Sequence, residues 1–188
     1  MGTKTIISVE DYLANEELAE QKSEYHAGEV RMMSGASWNH NVIVSRLIAK
    51  LTQCLEKKGC LVLPSDLLVH IPACEKFVYP DVTVVCKKPQ LNKHPNSNLD
   101  ALLNPTVIVE VLSDSTQLID RTEKFNCYKK ISSLQEYVLA DSKKTQIEVY
   151  RRQPNGWLLN TASELKESID ILGCNIALEE VYDRVEFV

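Results

Sequence analysis

Several features are missing from this chain of 188 residues, and each absence removes a class of function. No stretch approaches the run of ~20 apolar residues that a membrane-spanning helix requires, and the first residues, Met1 to Ser8, lack the apolar core of a secretory leader. The expectation is therefore a cytoplasmic protein with no membrane partner. The six cysteines, Cys54, Cys60, Cys74, Cys86, Cys127 and Cys174, never take Cys-x-x-Cys spacing and are not accompanied by paired histidines. That argues against zinc and predicts small buried hydrophobes in a reducing compartment. Positive charge is not in excess either: a net charge of -5 gives no global attraction to nucleic acid, so any DNA contact must come from a local basic face. No internal repeat, low-complexity tract or DNA-reading motif such as a helix-turn-helix is present, which leaves base specificity unread.

What is present is enough apolar residue, 44% of the chain, to build a core without disulfides or structural metals, and the length predicts one domain over 1–188. Two segments dense in β-branched residues, Tyr79-Pro80-Asp81-Val82-Thr83-Val84-Val85-Cys86 and Thr106-Val107-Ile108-Val109-Glu110-Val111-Leu112, predict strands. Alternation places Asp81 on a face with Thr83 and Val85, and Glu110 on a face with Ile108 and Leu112. An ionised carboxylate buried there needs a proton, an ion pair or a metal. Two acids on neighbouring strands suit a hard divalent cation, and magnesium commonly takes only one or two protein carboxylates. The next segment, Asp120-Arg121-Thr122-Glu123-Lys124-Phe125-Asn126-Cys127-Tyr128-Lys129-Lys130, opens on an apparent capping box of Asp120 and Glu123 and predicts a helix. Arg121, Lys124, Phe125 and Tyr128 share one face of it, so Lys124 is placed to point at the acids.

Pro80-Asp81, then Glu110-Val111-Leu112, then Asp120-Arg121-Thr122-Glu123-Lys124 resemble the PD-(D/E)XK nuclease pattern as carried by the Uma-two family of restriction-endonuclease-like proteins. The likeness runs over nearly the whole chain. It includes Ser8-Val9-Glu10-Asp11-Tyr12-Leu13, Lys22-Ser23-Glu24-Tyr25 with Gly28-Glu29, Ser34-Gly35-Ala36-Ser37 with His40-Asn41, and Ser132-Ser133-Leu134-Gln135-Glu136-Tyr137-Val138-Leu139-Ala140-Asp141. The resemblance implies an α/β (α+β) fold with a mixed central sheet flanked by helices, and hydrolysis of DNA with magnesium or manganese. It also makes a homodimer plausible, because two symmetric sites most simply cut both strands of a duplex. One departure stands out. The general pattern has lysine two residues after the second acid, where this chain has Leu112; in the resembling family the lysine is taken to have moved to the following helix, and Lys124 occupies that position.

Elsewhere, Ser8 is a cap for a helix running to about Glu20, and Gly28 marks a hairpin turn. Glu24, just before that turn, matches the acid that supports the metal in the resembling family; the alternative is a solvated carboxylate. Residues 41–58 predict an amphipathic helix through Val44, Leu47, Ile48, Leu51 and Leu55. His40, at its start, is either a cap or packing residue or a contact to a phosphate or metal-bound water. Residues 60–71 predict one strand bent at Pro64-Ser65-Asp66 and paired with the Asp81 strand. Residues 87–105 predict a turn-rich surface loop. Strands are predicted over 136–140, 145–151 and 157–159, with a short helix near Leu178 to Tyr182. Lys129-Lys130, Lys143-Lys144 and Arg151-Arg152 form a phosphate-facing rim or simply a solvated surface.

Two carboxylates and a lysine brought together this way, taken with what the family resemblance implies, make phosphodiester hydrolysis the leading expectation. Asp81 and Glu110, with the carbonyl of Val111, are expected to hold one or two cations, and Lys124 to orient water or stabilise charge on the phosphate. Arg121 and Tyr128, a helical turn to either side, are secondary candidates, Tyr128 doubling as a core residue. Three other readings stay open: a structural ion pair of the two acids with Lys124 or Arg121, a DNA-binding protein on a nuclease scaffold without turnover, and a transposon-linked or regulatory interaction module acting through residues 87–105.

Overall fold

The computed structural model describes residues 6–95, 97–114 and 116–187. Helix α1 (Val9–Leu18) starts where Ser8 Oγ accepts the Asp11 N–H at 3.0 Å, and it buries Tyr12 and Leu13. Strands β1 (Ser23–His26) and β2 (Glu29–Met32) follow as a hairpin. Its two-residue loop, Ala27 and Gly28, takes φ of 47° and 96°, the left-handed pair that matches the twist of the flanking strands. Helix α2 (Trp38–Leu55) is capped by Ser37, whose Oγ accepts the His40 N–H, and it buries Ile43, Leu47, Leu51 and Leu55 at helical spacing.

The chain then alternates between two layers. Strand β3 (Leu61–Pro64) and strand β4 (Leu68–Ile71) replace the single bent strand expected over 60–71, because the turn at Ser65 and Asp66 carries the chain from one sheet to the other. Strand β5 (Lys76–Val78) returns beside β4, and β6 (Val82–Val85) pairs with β3 as expected for the Asp81 segment. The span 87–105 is not a bare loop: β7 (Leu91–Lys93) and β8 (Asp100–Leu102) pair within it. Strand β9 (Val107–Leu112) runs antiparallel to β6 and parallel to β10 (Glu136–Asp141).

A parallel pair needs a crossover, and here it is the helical run 117–128, made of α3 (Gln117–Ile119), a π-helical segment (Asp120–Lys124) and α4 (Phe125–Tyr128). The run begins before Asp120, so the expected capping box does not form; Asp120 lies buried inside the helix, 2% exposed. Strands β11 (Ile147–Gln153) and β12 (Gly156–Ala162) complete the predicted antiparallel series, the hairpin β13 (Ser168–Ile171) and β14 (Cys174–Ala177) adds a pair that the sequence pattern did not mark, and α5 (Leu178–Val181) closes the described chain.

Two six-stranded mixed sheets result, β2-β1-β5-β4-β8-β7 and β12-β11-β10-β9-β6-β3. The second is covered on both faces. Val82, Val84, Val107, Val109, Val111, Val138 and Val149 pack with α2, α5 and the β13–β14 hairpin, while Val85, Ile108, Leu112, Tyr137 and Leu139 pack with Cys127 and Tyr128 of the crossover helix, with Leu134 after it, and with Val69, Ile71 and Val78 of the first sheet. Burial on both faces explains why β9 and β10 read as continuous apolar runs.

The cysteines depart from expectation. All six are paired, as Cys54–Cys174, Cys60–Cys86 and Cys74–Cys127, and none is a free thiol. Spacing along the chain carries no sign of these bonds, because the partners are 120, 26 and 53 residues apart: Cys54–Cys174 and Cys74–Cys127 join separate elements, and Cys60–Cys86 closes the end of the β3–β6 pair within one sheet. Cys74–Cys127 ties the turn before β5 to α4.

Candidate functional site

The second sheet places both acids. Val82 pairs with Val109 in the antiparallel register, so Asp81, the residue just before β6, comes alongside Glu110. Asp81 is locked by a neighbour from each side: its Oδ2 accepts the Val111 N–H at 2.7 Å and lies 3.1 Å from His40 Nε2 at the start of α2. Glu110 is more deeply buried. Its Oε1 accepts from the Tyr128 hydroxyl at 2.8 Å and from Lys124 Nζ at 3.2 Å, both side chains descending from the crossover helix.

The first sheet contributes the other wall. Glu24 on β1 places Oε1 3.0 Å from Lys124 Nζ, and the same oxygen accepts the Tyr79 N–H at 3.2 Å. Asp120 Oδ1, one turn before Lys124 on the same helix, stands 3.6 Å from the ammonium. Lys124 is thus surrounded by Glu24, Glu110 and Asp120, with 11% of its side chain exposed. Glu24 Oε2 contacts His26 Nε2 at 3.2 Å, His26 Nδ1 contacts Glu123 Oε1 at 3.3 Å, and Glu123 pairs with Lys76 and Arg31, fastening the crossover helix to the first sheet.

The electrostatics follow from one ammonium facing several carboxylates. Burial favours the neutral amine of Lys124, but Glu110, Glu24 and Asp120 outweigh it and hold the ammonium charged. Burial raises the Glu24 carboxyl, and Lys124 with His26 more than reverses this, drawing it down to about 2. Glu110 moves the other way although it also touches Lys124: burial raises it, Lys124 opposes, and Asp120, Asp81 and Glu24 raise it further. Asp120 is raised by burial, again against Lys124. The divergence arises because a single ammonium cannot neutralise every acid around it: Glu110 is the more deeply buried and faces three other acids, whereas Glu24 has His26 as a second partner. The Tyr128 phenol is raised by burial and by Glu110, so it stays a donor.

Of the residues singled out from sequence, Asp81, Glu110, Lys124, Glu24, His40 and Tyr128 are brought together. Arg121 is not; it turns to Glu148 on β11 and lines a separate recess of about 350 Å³ with Lys143, Lys144 and Asp141. The supposed basic rim is also largely engaged elsewhere. Arg151 pairs with Glu136 and Asp170, Arg152 binds the carbonyls of Leu134, Lys129 and Ile131 and stacks on Trp157, and Lys129 lies over Phe125. Sequence reasoning missed Asp120, read as a cap, and the His26–Glu123 link. For Asp120 the signal was available, since Asp120, Lys124 and Tyr128 recur every four residues and so share a helix face.

Among the described residues no three His, Cys, Asp or Glu side chains form a ready-made metal cage. The donor chemistry nevertheless fits a hard cation. Asp81 and Glu110 offer oxygens side by side, the surroundings are over-supplied with negative charge, and Asp120 Oδ1 is buried with no hydrogen-bond partner among the described residues. Magnesium, which completes its shell with water and substrate oxygens, demands no three-residue cage.

A two-layer mixed α+β body with a crossover helix over the carboxylate-bearing strands is the restriction-endonuclease-like nuclease fold. The chain superposes with a TM-score of 0.74 on a crystal structure described as "a putative nuclease belonging to DUF820 from Anabaena variabilis ATCC 29413", with 17% identity, over 96% of this chain and 99% of that one. That likeness is one of fold. In sequence, the Uma2 family model, described as "Putative restriction endonuclease", matches residues 9–179, and the chain belongs to that family. Two relatives from Synechocystis sp. (strain ATCC 27184 / PCC 6803 / Kazusa) are similar: uncharacterized protein slr1290, 32% identical over 96% of this chain and 94% of its own length, and uncharacterized protein sll1609, 36% identical over 85% and 89%. Among the described residues no helix is long and apolar enough to cross a membrane.

Proposed function

We propose that this chain is a metal-dependent endonuclease that hydrolyses phosphodiester bonds of DNA. The observation that carries the reading is the meeting of Asp81 at the start of β6, Glu110 on β9 and Lys124 on the crossover helix, within a family described as "Putative restriction endonuclease". Asp81 and Glu110, with the Val111 carbonyl, would hold magnesium or manganese. When bound, such a cation polarises a phosphoryl oxygen and lowers the pKa of its bound water.

The remaining work belongs to the chain. The Val111 N–H and His40 fix the Asp81 carboxylate, so that it is presented without further reorganisation. Tyr128 fixes Glu110 from below. Lys124 provides the positive charge that meets the phosphoryl oxygens or orients the attacking water, the role left vacant by Leu112. Glu24 holds Lys124 on the side of the first sheet. A homodimer with two such sites would cut both strands. A cytoplasmic site of action belongs to the same reading, and cell fractionation checks it: recovery of the protein in the cytosolic fraction is expected, and recovery elsewhere would remove that part of the reading.

Calorimetric titration with magnesium or manganese, followed by a plasmid-nicking assay, tests this on wild type, Asp81→Ala and Lys124→Ala. Cation binding by wild type is expected, lost in Asp81→Ala, with nicking reduced by about 100-fold or more in both variants. No cation binding by wild type would remove the reading. A second reading, a DNA-binding protein on a degenerate nuclease scaffold, is favoured by one observation: Leu112 is 2% exposed and committed to the apolar layer with Ile108, Tyr137 and Leu139, so the usual lysine position contributes nothing to chemistry. DNA affinity with no cleavage across divalent metals supports it.

A further inference from the structure

Asp120 is the residue of the cluster with no task assigned. It is 2% exposed, and its Oδ1 has no hydrogen-bond partner among the described residues while facing the Lys124 ammonium at 3.6 Å, just beyond bonding distance. A buried, unsatisfied carboxylate oxygen is costly, and such an oxygen persists where it is needed in another state. Lys124 meanwhile spends hydrogen bonds on carboxylates, one of them Glu110 Oε1 at 3.2 Å. A cation bound at Asp81 and Glu110 competes directly for that oxygen, and two positive charges on it repel each other.

We infer that Asp120 is a positioning residue: its free Oδ1 is the second seat of the Lys124 ammonium, taken up when a divalent cation claims Glu110. The inference rests on the metal-dependent reading above. Geometry supports a small movement. Asp120 and Lys124 are four apart on one helix, so the ammonium needs only a side-chain rotation of a fraction of an ångström to close 3.6 Å to a bond while keeping Glu24. Two features of the surroundings suit the exchange. The π-helical segment that carries both residues is a local widening of the kind often found at functional sites. Tyr128 keeps Glu110 oriented after the lysine leaves. In this scheme the lysine is not idle in the resting protein; it stands in for the cation on Glu110.

The test is a crystal structure of the wild type with Mn²⁺, located by its anomalous signal, together with Mn²⁺ affinities of wild type, Asp120→Asn and Asp120→Glu. The expected structure shows Mn²⁺ at Asp81 and Glu110, with Lys124 Nζ bonded to Asp120 Oδ1 and gone from Glu110. Asp120→Asn, isosteric and checked for folding by its thermal melt, is expected to bind Mn²⁺ about tenfold more weakly, and Asp120→Glu to recover most of that loss, which a merely structural aspartate would not show. Lys124 still bonded to Glu110 with Mn²⁺ in place, or equal affinity in wild type and Asp120→Asn, overturns this inference alone. Absence of Mn²⁺ binding by wild type overturns both it and the reading beneath it.

Discussion

A lysine ringed by acids is a different object from a lysine beside one acid, and Lys124 shows why. Its ammonium is the charge that makes Glu24, Glu110 and Asp120 tolerable together, so removing it leaves three carboxylates buried without a cation. Lys124→Met in the metal-free protein is expected to cost about 3 to 5 kcal/mol of stability. Tyr128→Phe removes one hydroxyl donor from Glu110 but leaves Lys124 in place, and its expected cost is about 1 to 2 kcal/mol. Urea unfolding of the two variants at neutral pH checks the order; if Tyr128→Phe were the more damaging, the ammonium would not be the keystone proposed. The face each of Asp81 and Glu110 occupies was readable from alternation along its strand, since period two is a property of the backbone alone, whereas their meeting depends on the register between β6 and β9. The role of Asp120 was misread for a reason that is equally physical. Asp followed three residues later by Glu is what a helix start looks like, and only the packing of the crossover shows that the helix begins earlier and draws Asp120 inside.

At the scale of elements, the crossover helix couples the two layers. It delivers Lys124 and Tyr128 to β9, pairs Glu123 with Lys76 and Arg31 of the first sheet, and is joined to the turn before β5 by Cys74–Cys127. With the disulfide formed, replacing both Cys74 and Cys127 by Ser is expected to lower stability by about 3 to 4 kcal/mol, read from denaturant curves under oxidising conditions. The same comparison under reducing conditions should narrow the gap. The position of the lysine is itself an element-level choice between β9 and the helix. Leu112 lies two residues beyond Glu110 on the same face of β9, so Leu112→Lys in a Lys124→Ala background is expected to return part of the nicking activity. A double variant no more active than Lys124→Ala would mean that the strand position cannot reach the phosphate in this fold.

For the whole molecule, acid stability is set by carboxylates whose partners lie in the other layer. Glu24 is held down to about 2 by Lys124 and His26 against the upward push of burial, and Glu123 is held down to about 2 by Lys76, with Arg31 adding to it against burial. A carboxyl depressed in the folded state stabilises it above the unfolded value near 4.5, and that contribution is lost as pH falls from there towards 2. Glu110 is raised, so its contribution has the opposite sign: it is present at low pH and lost as pH rises through the raised value. The metal-free protein is therefore expected to be most stable in mildly acidic solution, to weaken towards neutrality, and to unfold steeply between about pH 4.5 and 2. Thermal melts across this range check it; a monotonic rise in stability to pH 8 would show that Glu110 does not carry the strain assigned to it.

The local pattern of residues by itself determined the Ser8-capped helix, the amphipathic face of the second helix, the Gly28 turn, the apolar strands and the two acids that interrupt them, because caps, turns and periodic faces depend on neighbours in the chain. The lysine on the crossover was legible through the family resemblance and its place on the helix face. Tertiary structure alone decided the rest. It divided residues 60–71 between two sheets, made strands within 87–105, paired six cysteines distant in the chain, and turned Arg121, Arg151 and Arg152 to internal partners. These outcomes depend on contacts between residues tens of positions apart, which exist only once the sheets and helices have packed.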